Sequence, residues 1–530
     1  MSELLHLKSD LEWKGTGVNA SMIEGLDMSN LIQRLQPQWM RVPLSLPDPG
    51  ADAMCLSDSS MDLLWRPIAV KYACSGILTS AKTPSKEADP GSKLILVGGI
   101  PMSWLTSRRE LRGDALVAYA RFIVAGVLEF RKARINVGWL ELLEGVDNSV
   151  GGSIAPDNYP ILVRTFKSHL QHRNGAPVKV LGPCVSRLVS AGEYTDPYSS
   201  AFMKPENQAL LDGWSIHAIE SEADKVAYNA PGYEGRMYVY RQAVRSFRFL
   251  KWTRKDLPIF VTKLGTNATR YSTGVDYGKG APETVEHALR IIESVCCTAL
   301  SGASVIVSWA VLDKRDNKSL HRADSYRRPH CEALAYVSET LPPGGVIYRP
   351  NEASNQPAGD ETINMLVVKG NSFGFILCRS HKSDALEGKY TLKLSNPAWK
   401  TAADTVSYVA TITLSAFPTY VSLTGTDRAV TVDSNGILSI EFQELPYNCV
   451  IFGQGDVYAT NLSTSQPPES CPSCPSRTCL EVDRVSDTSQ VQSPTEGVLV
   501  WSILDRGLMT YVSGKWINVV ASQDTGCPYR

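Results

Sequence analysis

The stretch that decides the fold is LPIFVTKLG, residues 257–265. It begins with Leu-Pro, continues through β-branched and aromatic residues and ends on glycine, a pattern typical of a strand buried within a parallel sheet. Its one charged residue, Lys263, lies at the carboxyl end of the run. In barrels of parallel strands, this is the end that carries the chemistry. Lys263 is therefore the first candidate for a functional residue.

Seven similar runs accompany this stretch between residues 15 and 315. The eight runs are residues 17–20, 39–43, 93–97, 137–144, 178–183, 213–217, 257–265 and 304–310. Amphipathic segments separate them, and we predict helices at residues 114–131, 157–172, 236–252 and 283–300. Strands that alternate with helices indicate a parallel sheet, and eight such units close a (β/α)8 barrel. An open doubly wound sheet would show a glycine-rich phosphate turn after its first strand, which this sequence lacks.

The composition changes after the barrel, which we assign to residues 1–330. Residues 340–456 contain short Val-, Thr- and Tyr-rich runs separated by turn residues, which predicts an antiparallel β-sandwich. Residues 457–494 are rich in Ser, Pro and Cys and are predicted to be a linker. Residues 495–530 are predicted to form a small β-meander. The predicted fold class is therefore α/β, with a barrel followed by two smaller β units.

The composition of the 530 residues limits the classes of partner. A formal net charge of -1 gives no electrostatic attraction for a nucleic-acid backbone. The amino terminus shows no secretory signal pattern, and no window is apolar for long enough to cross a membrane. These features predict a reducing site of synthesis, a cytoplasmic location outside any larger particle, and free thiols for most of the 12 cysteines. No sequence motif indicates a cofactor.

A cluster of cysteines lies near the carboxyl terminus. It consists of Cys471, Cys474, Cys479 and Cys527. The first pair has the C-x2-C spacing of a zinc site, but the second pair does not. A Pro- and Ser-rich setting suits disulfides or free thiols equally, so a zinc site, disulfides and free thiols all stay open as interpretations.

Ionisable and aromatic residues follow several of the predicted barrel strands. Glu141 and Glu144 end the fourth run, His217 ends the sixth, and Trp309 lies in the eighth. Each residue alone is typical of a solvated strand end. Together with Lys263 they predict one shared site, because barrel sites draw on several strand ends at the same mouth.

The pattern resembles the large clan of (β/α)8 glycoside hydrolases with two catalytic glutamates. In that clan the fourth strand ends in Asn-Glu-Pro, whose Glu is the general acid/base, and the seventh ends in a Thr-Glu-Phe-Gly-like run, whose Glu is the nucleophile. The corresponding segments here are LLEG, residues 142–145, and VTKLG, residues 261–265. The resemblance implies that Glu144 is a vestigial acid/base and that Lys263 replaces the nucleophile. It covers roughly residues 15–455.

This sequence differs from the clan at the residues that carry the clan's chemistry. Retaining hydrolysis needs two carboxyl groups about 5 to 5.5 Å apart, and an ammonium at Lys263 would repel the cationic transition state instead of stabilising it. A nearby lysine should also pair with Glu144 and lower its pKa, whereas a general acid needs a raised pKa. Leu143 stands where the clan has the Asn that binds the substrate 2-hydroxyl. All three differences indicate a barrel without glycosidase activity.

The carboxyl-terminal unit resembles a short module of phage and large-virus virion proteins. Its pattern of glycines, aromatic residues and an Asp turn is matched by Gly497, Trp501, Asp505, Leu508, Tyr511, Gly514 and Trp516. An ordinary hairpin with aromatic cross-strand pairs would have the same appearance. The two resemblances together lead us to expect a non-catalytic structural or attachment protein of a virion, whose partners are other structural proteins and host glycans.

Three other hypotheses are compatible with the sequence. An active glycoside hydrolase could use Glu144 as general acid and an atypical second carboxylate, for which the candidates are Glu141, Glu220 and Asp313. A glycan-binding cleft without chemistry could use His217 and stack sugar rings on Trp104, Trp139, Trp214 and Trp309, although such residues are as typical of a core. A Schiff-base role for Lys263 is disfavoured because neighbouring carboxylates stabilise the protonated amine.

Overall fold

The computed structural model describes the barrel and the strands that follow it. The described residues are 12–19, 35, 37–44, 46, 49–50, 54–74, 93–147, 152–185, 197–220, 257–266, 284–309, 328–348, 362–369, 372–379, 390–395, 408–413, 423–425, 437–442, 448–454, 483–485, 499–502, 507–512 and 515–518.

Eight parallel strands form a closed barrel, as the sequence predicts. They are β2 (Gly15–Asn19), β3 (Trp39–Pro43), β4 (Leu94–Val97), β5 (Trp139–Glu141), β6 (Lys179–Val185), β7 (Gly213–Glu220), β8 (Ile259–Thr266) and β9 (Val305–Ser308). The barrel closes where β9 pairs with β2, with Val305 opposite Gly15. Every predicted run overlaps one of these strands, although β5 ends three residues before Glu144.

The described helices follow the predicted alternation. They are α1 (Asp58–Cys74), α2 (Leu116–Lys132), α3 (Asn158–His172), α4 (Pro197–Met203), α5 (Val285–Leu300) and α6 (Pro329–Thr340). Helix α5 begins after Thr284, whose hydroxyl accepts a hydrogen bond of 3.1 Å from the backbone N–H of His287. Helix α6 begins with Pro329, a residue that suits the first helical position. The helix predicted at 236–252 lies outside the described residues.

The amino-terminal half of the barrel interior is apolar and closely packed. Trp39 and Trp139, the first residues of β3 and β5, meet edge to face at 5.8 Å, and Phe260 packs on both rings. Ile95 and Val305 complete this layer together with neighbouring aliphatic residues. The polar residues of the barrel therefore lie above it, towards the carboxyl ends of the strands.

A seven-stranded antiparallel sheet follows the barrel, which confirms the predicted second β unit. Its strands are β1 (Glu12–Trp13), β10 (Gly345–Tyr348), β11 (Thr362–Lys369), β12 (Ser372–Arg379), β14 (Tyr408–Thr413), β15 (Leu423–Gly425) and β17 (Asn448–Gln454). They lie in the order β1-β10-β11-β12-β17-β14-β15. A separate pair is formed by β13 (Tyr390–Ser395) and β16 (Ile437–Phe442). Strand β1 precedes the barrel in sequence but pairs with β10, so the amino-terminal segment of the barrel unit is part of the second sheet. A two-residue strand has no periodicity, which is why this pairing was not predicted.

The last described strands form a small sheet of their own. They are β18 (Asp483–Val485), β19 (Leu499–Ser502), β20 (Gly507–Val512) and β21 (Lys515–Asn518). Strands β19, β20 and β21 are antiparallel neighbours, whereas β18 runs parallel to β19. Within the described part of the chain, no helix is long and apolar enough to cross a membrane.

Candidate functional site

The mouth of the barrel is organised around a buried arginine. Arg41, on β3, is fully buried and contacts the carboxylate of Glu141, the last residue of β5, through Nε at 2.8 Å and Nη2 at 2.7 Å. Its Nη1 lies 3.3 Å from Oδ1 of Asn19 and 3.4 Å from Oε1 of Glu144. One guanidinium on β3 therefore connects residues at the carboxyl ends of two other strands, β2 and β5.

Glu144 and Lys263 form an ion pair above this arginine. The Lys263 ammonium donates to Oε1 of Glu144, the same oxygen that Arg41 approaches. Side-chain exposure is 16% for Lys263 and 33% for Glu144, so the pair faces the mouth. The ammonium also lies over the indole of Trp309, 5.3 Å from the ring centroid, which is within the range of a cation–π interaction. The predicted pairing of Lys263 with Glu144 is present in the structure.

The charges around Glu144 keep it ionised. Burial alone would raise the pKa of its carboxyl group, but the positive charges of Arg41 and Lys263 outweigh burial and lower the pKa to about 2. A general acid must still hold its proton at the pH of the reaction. Glu144 is therefore a permanent carboxylate near neutral pH and has no proton to give to a leaving group.

Arg41 and Glu141 form the buried half of the network. Burial opposes the charge of Arg41, but attraction to Glu141 and then Glu144 raises the pKa of its guanidinium. Glu141 is fully buried, and its Oε1 has no hydrogen-bond partner among the described residues. A carboxylate enclosed in this way cannot reach a ligand at the mouth.

His217, which lies opposite Lys263 in the pairing of β7 with β8, forms a neutral pair with Cys184. His217 Nε2 lies 3.2 Å from the Cys184 sulfur, and both side chains are buried. Burial, with the charges of Lys263 and Arg41, lowers the pKa of His217 well below its ordinary value. Burial, reinforced by Glu141, raises the pKa of the Cys184 thiol to about 12. The thiol and the imidazole are therefore uncharged, and Cys184 is not an activated nucleophile.

The segment after β5 is fixed by close backbone packing. The Tyr119 hydroxyl donates a 2.5 Å hydrogen bond to the Leu142 carbonyl, and the Val146 N–H donates to the Cys184 carbonyl at 3.3 Å. Gly98 passes so near this segment that a Cβ would overlap the Leu142 carbonyl oxygen. Gly145 has φ +68°, in the left-handed region that favours glycine. These contacts position Glu144 even though it lies beyond the strand.

Three of the four tryptophans considered as sugar-stacking surfaces belong to the core. Trp104 is 0% exposed and its indole N–H donates to the Gly50 carbonyl at 3.0 Å. Trp214 is 1% exposed, and Trp139 is covered by Trp39 and Phe260. The substrate-binding roles predicted for Trp104 and Trp139 are corrected accordingly, because a ring enclosed by other side chains offers no face to a sugar. Trp309, which is half-buried beside Lys263, remains at the mouth.

Sequence reasoning missed Arg41 and Cys184. Arg41 lies within the apolar run WMRVP, where a charge could have indicated a buried ion pair. Cys184 directly follows the predicted fifth run and carries no signal that separates it from a core cysteine.

Some predicted residues lie where the structure gives no side-chain description. The backbone of Glu220 ends β7, and Asp313 and the cysteines Cys471, Cys474, Cys479 and Cys527 are outside the described residues. In the ranges that are described, no group of three or more His, Cys, Asp or Glu side chains is arranged to hold a metal ion.

Comparison with solved structures finds proteins that share this fold. A glycoside hydrolase family 30 subfamily 8 xylanase from Clostridium acetobutylicum matches with a TM-score of 0.55 and 12% identity, over 84% of this chain and 96% of the xylanase. A family 51 α-L-arabinofuranosidase from Bifidobacterium longum matches with a TM-score of 0.53 and 10% identity, over 84% of this chain and 96% of the other. SrfJ from Salmonella typhimurium matches with a TM-score of 0.52 and 12% identity, over 83% of this chain and 89% of SrfJ.

The shared feature is the fold. Identities this low do not carry an activity from one protein to another. No family model matches the sequence, and no curated protein matches it. The predicted glycoside-hydrolase-like barrel with its second β unit is thus confirmed as an architecture, and the roles of the residues at its mouth remain to be argued from their chemistry.

Proposed function

We propose that this protein is a non-catalytic, glycoside-hydrolase-like component of a virus particle, with a structural or attachment role. The observation that carries the first half of this proposal is the ion pair between Lys263 and Glu144. It puts an ammonium beside the one exposed carboxylate that the structure describes at the mouth. A cation there opposes the positive charge that develops on the sugar during glycoside cleavage.

The surroundings of the pair support the same conclusion. Arg41 adds a second cation at 3.4 Å from Glu144, and the resulting low pKa removes the proton that a general acid would supply. Glu141, the nearest alternative carboxylate, is fully buried and held by Arg41. Neither half of a two-carboxylate mechanism is therefore provided by these residues.

The assembly role rests on the carboxyl-terminal unit. Its sequence resembles a module of virion proteins, and strands β19 to β21 form consecutive antiparallel pairs in that region.

The activity half of the proposal is tested with a panel of aryl glycosides, including xylosides, glucosides and arabinofuranosides. We expect no turnover above the buffer rate from the wild-type protein. Turnover that disappears in Glu144→Gln would favour the rival, an active hydrolase with an atypical second carboxylate. Turnover that persists in that variant would point to a contaminating enzyme.

The assembly half is tested by locating the protein in its source. Density-gradient fractionation followed by mass spectrometry should find the chain in purified particles, at a stoichiometry that repeated washing does not change. Recovery only as a free soluble chain would contradict this half and leave the activity result unaffected.

Glycan contact at the mouth is tested separately on a glycan array. If the protein attaches to host glycans through the half-buried Trp309, binding should be lost in Trp309→Ala while circular dichroism stays unchanged. An array without any binding would restrict the protein to a structural role.

A further inference from the structure

The ammonium of Lys263 occupies a site with two recognition elements. The carboxylate of Glu144 accepts its hydrogen bond, and the indole of Trp309 lies beneath it at 5.3 Å. A carboxylate and an aromatic face are the groups that proteins combine to bind ammonium ions. We propose that the barrel mouth is a binding site for a primary ammonium group, and that this chain fills the site from within with Lys263.

The charges at the mouth favour a cation at this position. Arg41 and Lys263 carry two positive charges, which Glu141 and Glu144 balance. Without the lysine, Arg41 alone would face both carboxylates, and it contacts Glu141 closely but Glu144 only at 3.4 Å. One negative charge would then be left at the mouth, next to the indole.

The neighbouring polar groups do not substitute for the lysine. His217 is 3% exposed and neutral, because burial and the nearby cations lower its pKa. Cys184 is also neutral and contacts His217. An external ligand that reaches Glu144 must therefore displace Lys263, and a primary amine, such as that of an amino sugar, is the chemical class that would replace its interactions.

This inference rests on the proposed non-catalytic function, because it assigns Lys263 as the group that fills the barrel mouth. The two can fail separately. Hydrolysis of a glycoside would overturn the proposed function, whereas the ammonium site is tested by binding alone.

The first test opens the site in the full-length protein. In Lys263→Ala, methylammonium chloride should raise the melting temperature in a saturable way, by at least about 1 °C at a concentration tenfold above its Kd, relative to sodium chloride of the same ionic strength. The wild type, whose site is filled, and the double variant Lys263→Ala/Glu144→Gln should show no such rise. Equal responses in all three proteins, or no response in a folded Lys263→Ala, would overturn the proposal.

The second test needs no variant to fold. Acylation of the wild type with a limiting amine reagent, followed by mass spectrometry, should label Lys263 at least about tenfold more slowly than Lys204, whose ion pair with Asp157 is open to solvent because the two side chains are 52% and 82% exposed. Labelling of both lysines at equal rates would mean that the ammonium is not held, and would contradict the inference.

Discussion

Replacement of Arg41 by methionine should reveal how much the mouth depends on one buried charge. Arg41 is fully buried and makes two contacts, of 2.7 and 2.8 Å, with the enclosed carboxylate of Glu141. Methionine fills a similar volume but leaves that carboxylate without its counter-ion. Loss of one partner of a buried pair costs about 3 to 5 kcal/mol, so the free energy of unfolding should fall by that amount. For a chain of 530 residues the melting temperature changes by about 1 °C per kcal/mol, so it should drop by about 3 to 5 °C.

The double variant Arg41→Met/Glu141→Leu is the matched control. Because apolar residues of similar size replace buried ion pairs at little cost, it should recover most of the lost stability. Denaturant unfolding of the wild type, both single variants and the double variant closes a double-mutant cycle, whose coupling energy should exceed about 2 kcal/mol. Additive effects would refute the reasoning, since they would mean that Arg41 and Glu141 do not depend on each other.

Three further predictions concern the surroundings of the site and the barrel wall. Gly98→Ala should cost about 1 to 3 kcal/mol because its Cβ would overlap the Leu142 carbonyl, whereas Gly113→Ala, with open space around its Cβ, should have little effect on thermal unfolding. Asp62→Asn should lower the free energy of unfolding, measured with denaturant, by about 1 to 3 kcal/mol, because Asp62 is only 11% exposed and accepts two hydrogen bonds from Arg173. The control is Asp157→Asn, at a side chain that is 82% exposed, which should change the free energy of unfolding by less than about 0.5 kcal/mol. The pKa of Glu144, about 2 in the folded protein against about 4.3 in an unfolded chain, means that its stabilisation is present above about pH 5 and is lost as the pH falls towards 2. With allowance for its partial exposure this amounts to about 1 to 2 kcal/mol, so Glu144→Gln should flatten the acid side of the stability profile.

The barrel could be predicted because its signals are local. Each strand is a short apolar run between turn residues, and the helices between them carry their own start and stop signals, as Pro329 and the Thr284 cap illustrate. The pairing of Lys263 with Glu144 was expected from the resemblance to two-glutamate glycoside hydrolases, which implies that both positions face each other at one barrel mouth.

The features that could not be predicted from the sequence depend on contacts between distant parts of the chain. Arg41 lies within an apolar run, and its partners Glu141 and Glu144 are 100 and 103 residues away. Strand β1 pairs with residues more than 300 positions later, which a two-residue segment cannot signal. Whether Trp104 and Trp139 face a ligand or the core depends on which side chains cover them, and the sequence pattern is the same in both cases.

The central claim is that Glu144 is held as a carboxylate by two cations and cannot act as a general acid. The most direct measurement is a carbon-13 NMR titration of the glutamate carboxyl groups, with the Glu144 signal assigned by its absence in Glu144→Gln. We predict a midpoint near pH 2 in the wild type and a higher midpoint in Lys263→Ala, where one of the two cations is removed. A wild-type midpoint above about pH 5, the range of a working general acid, would contradict the account.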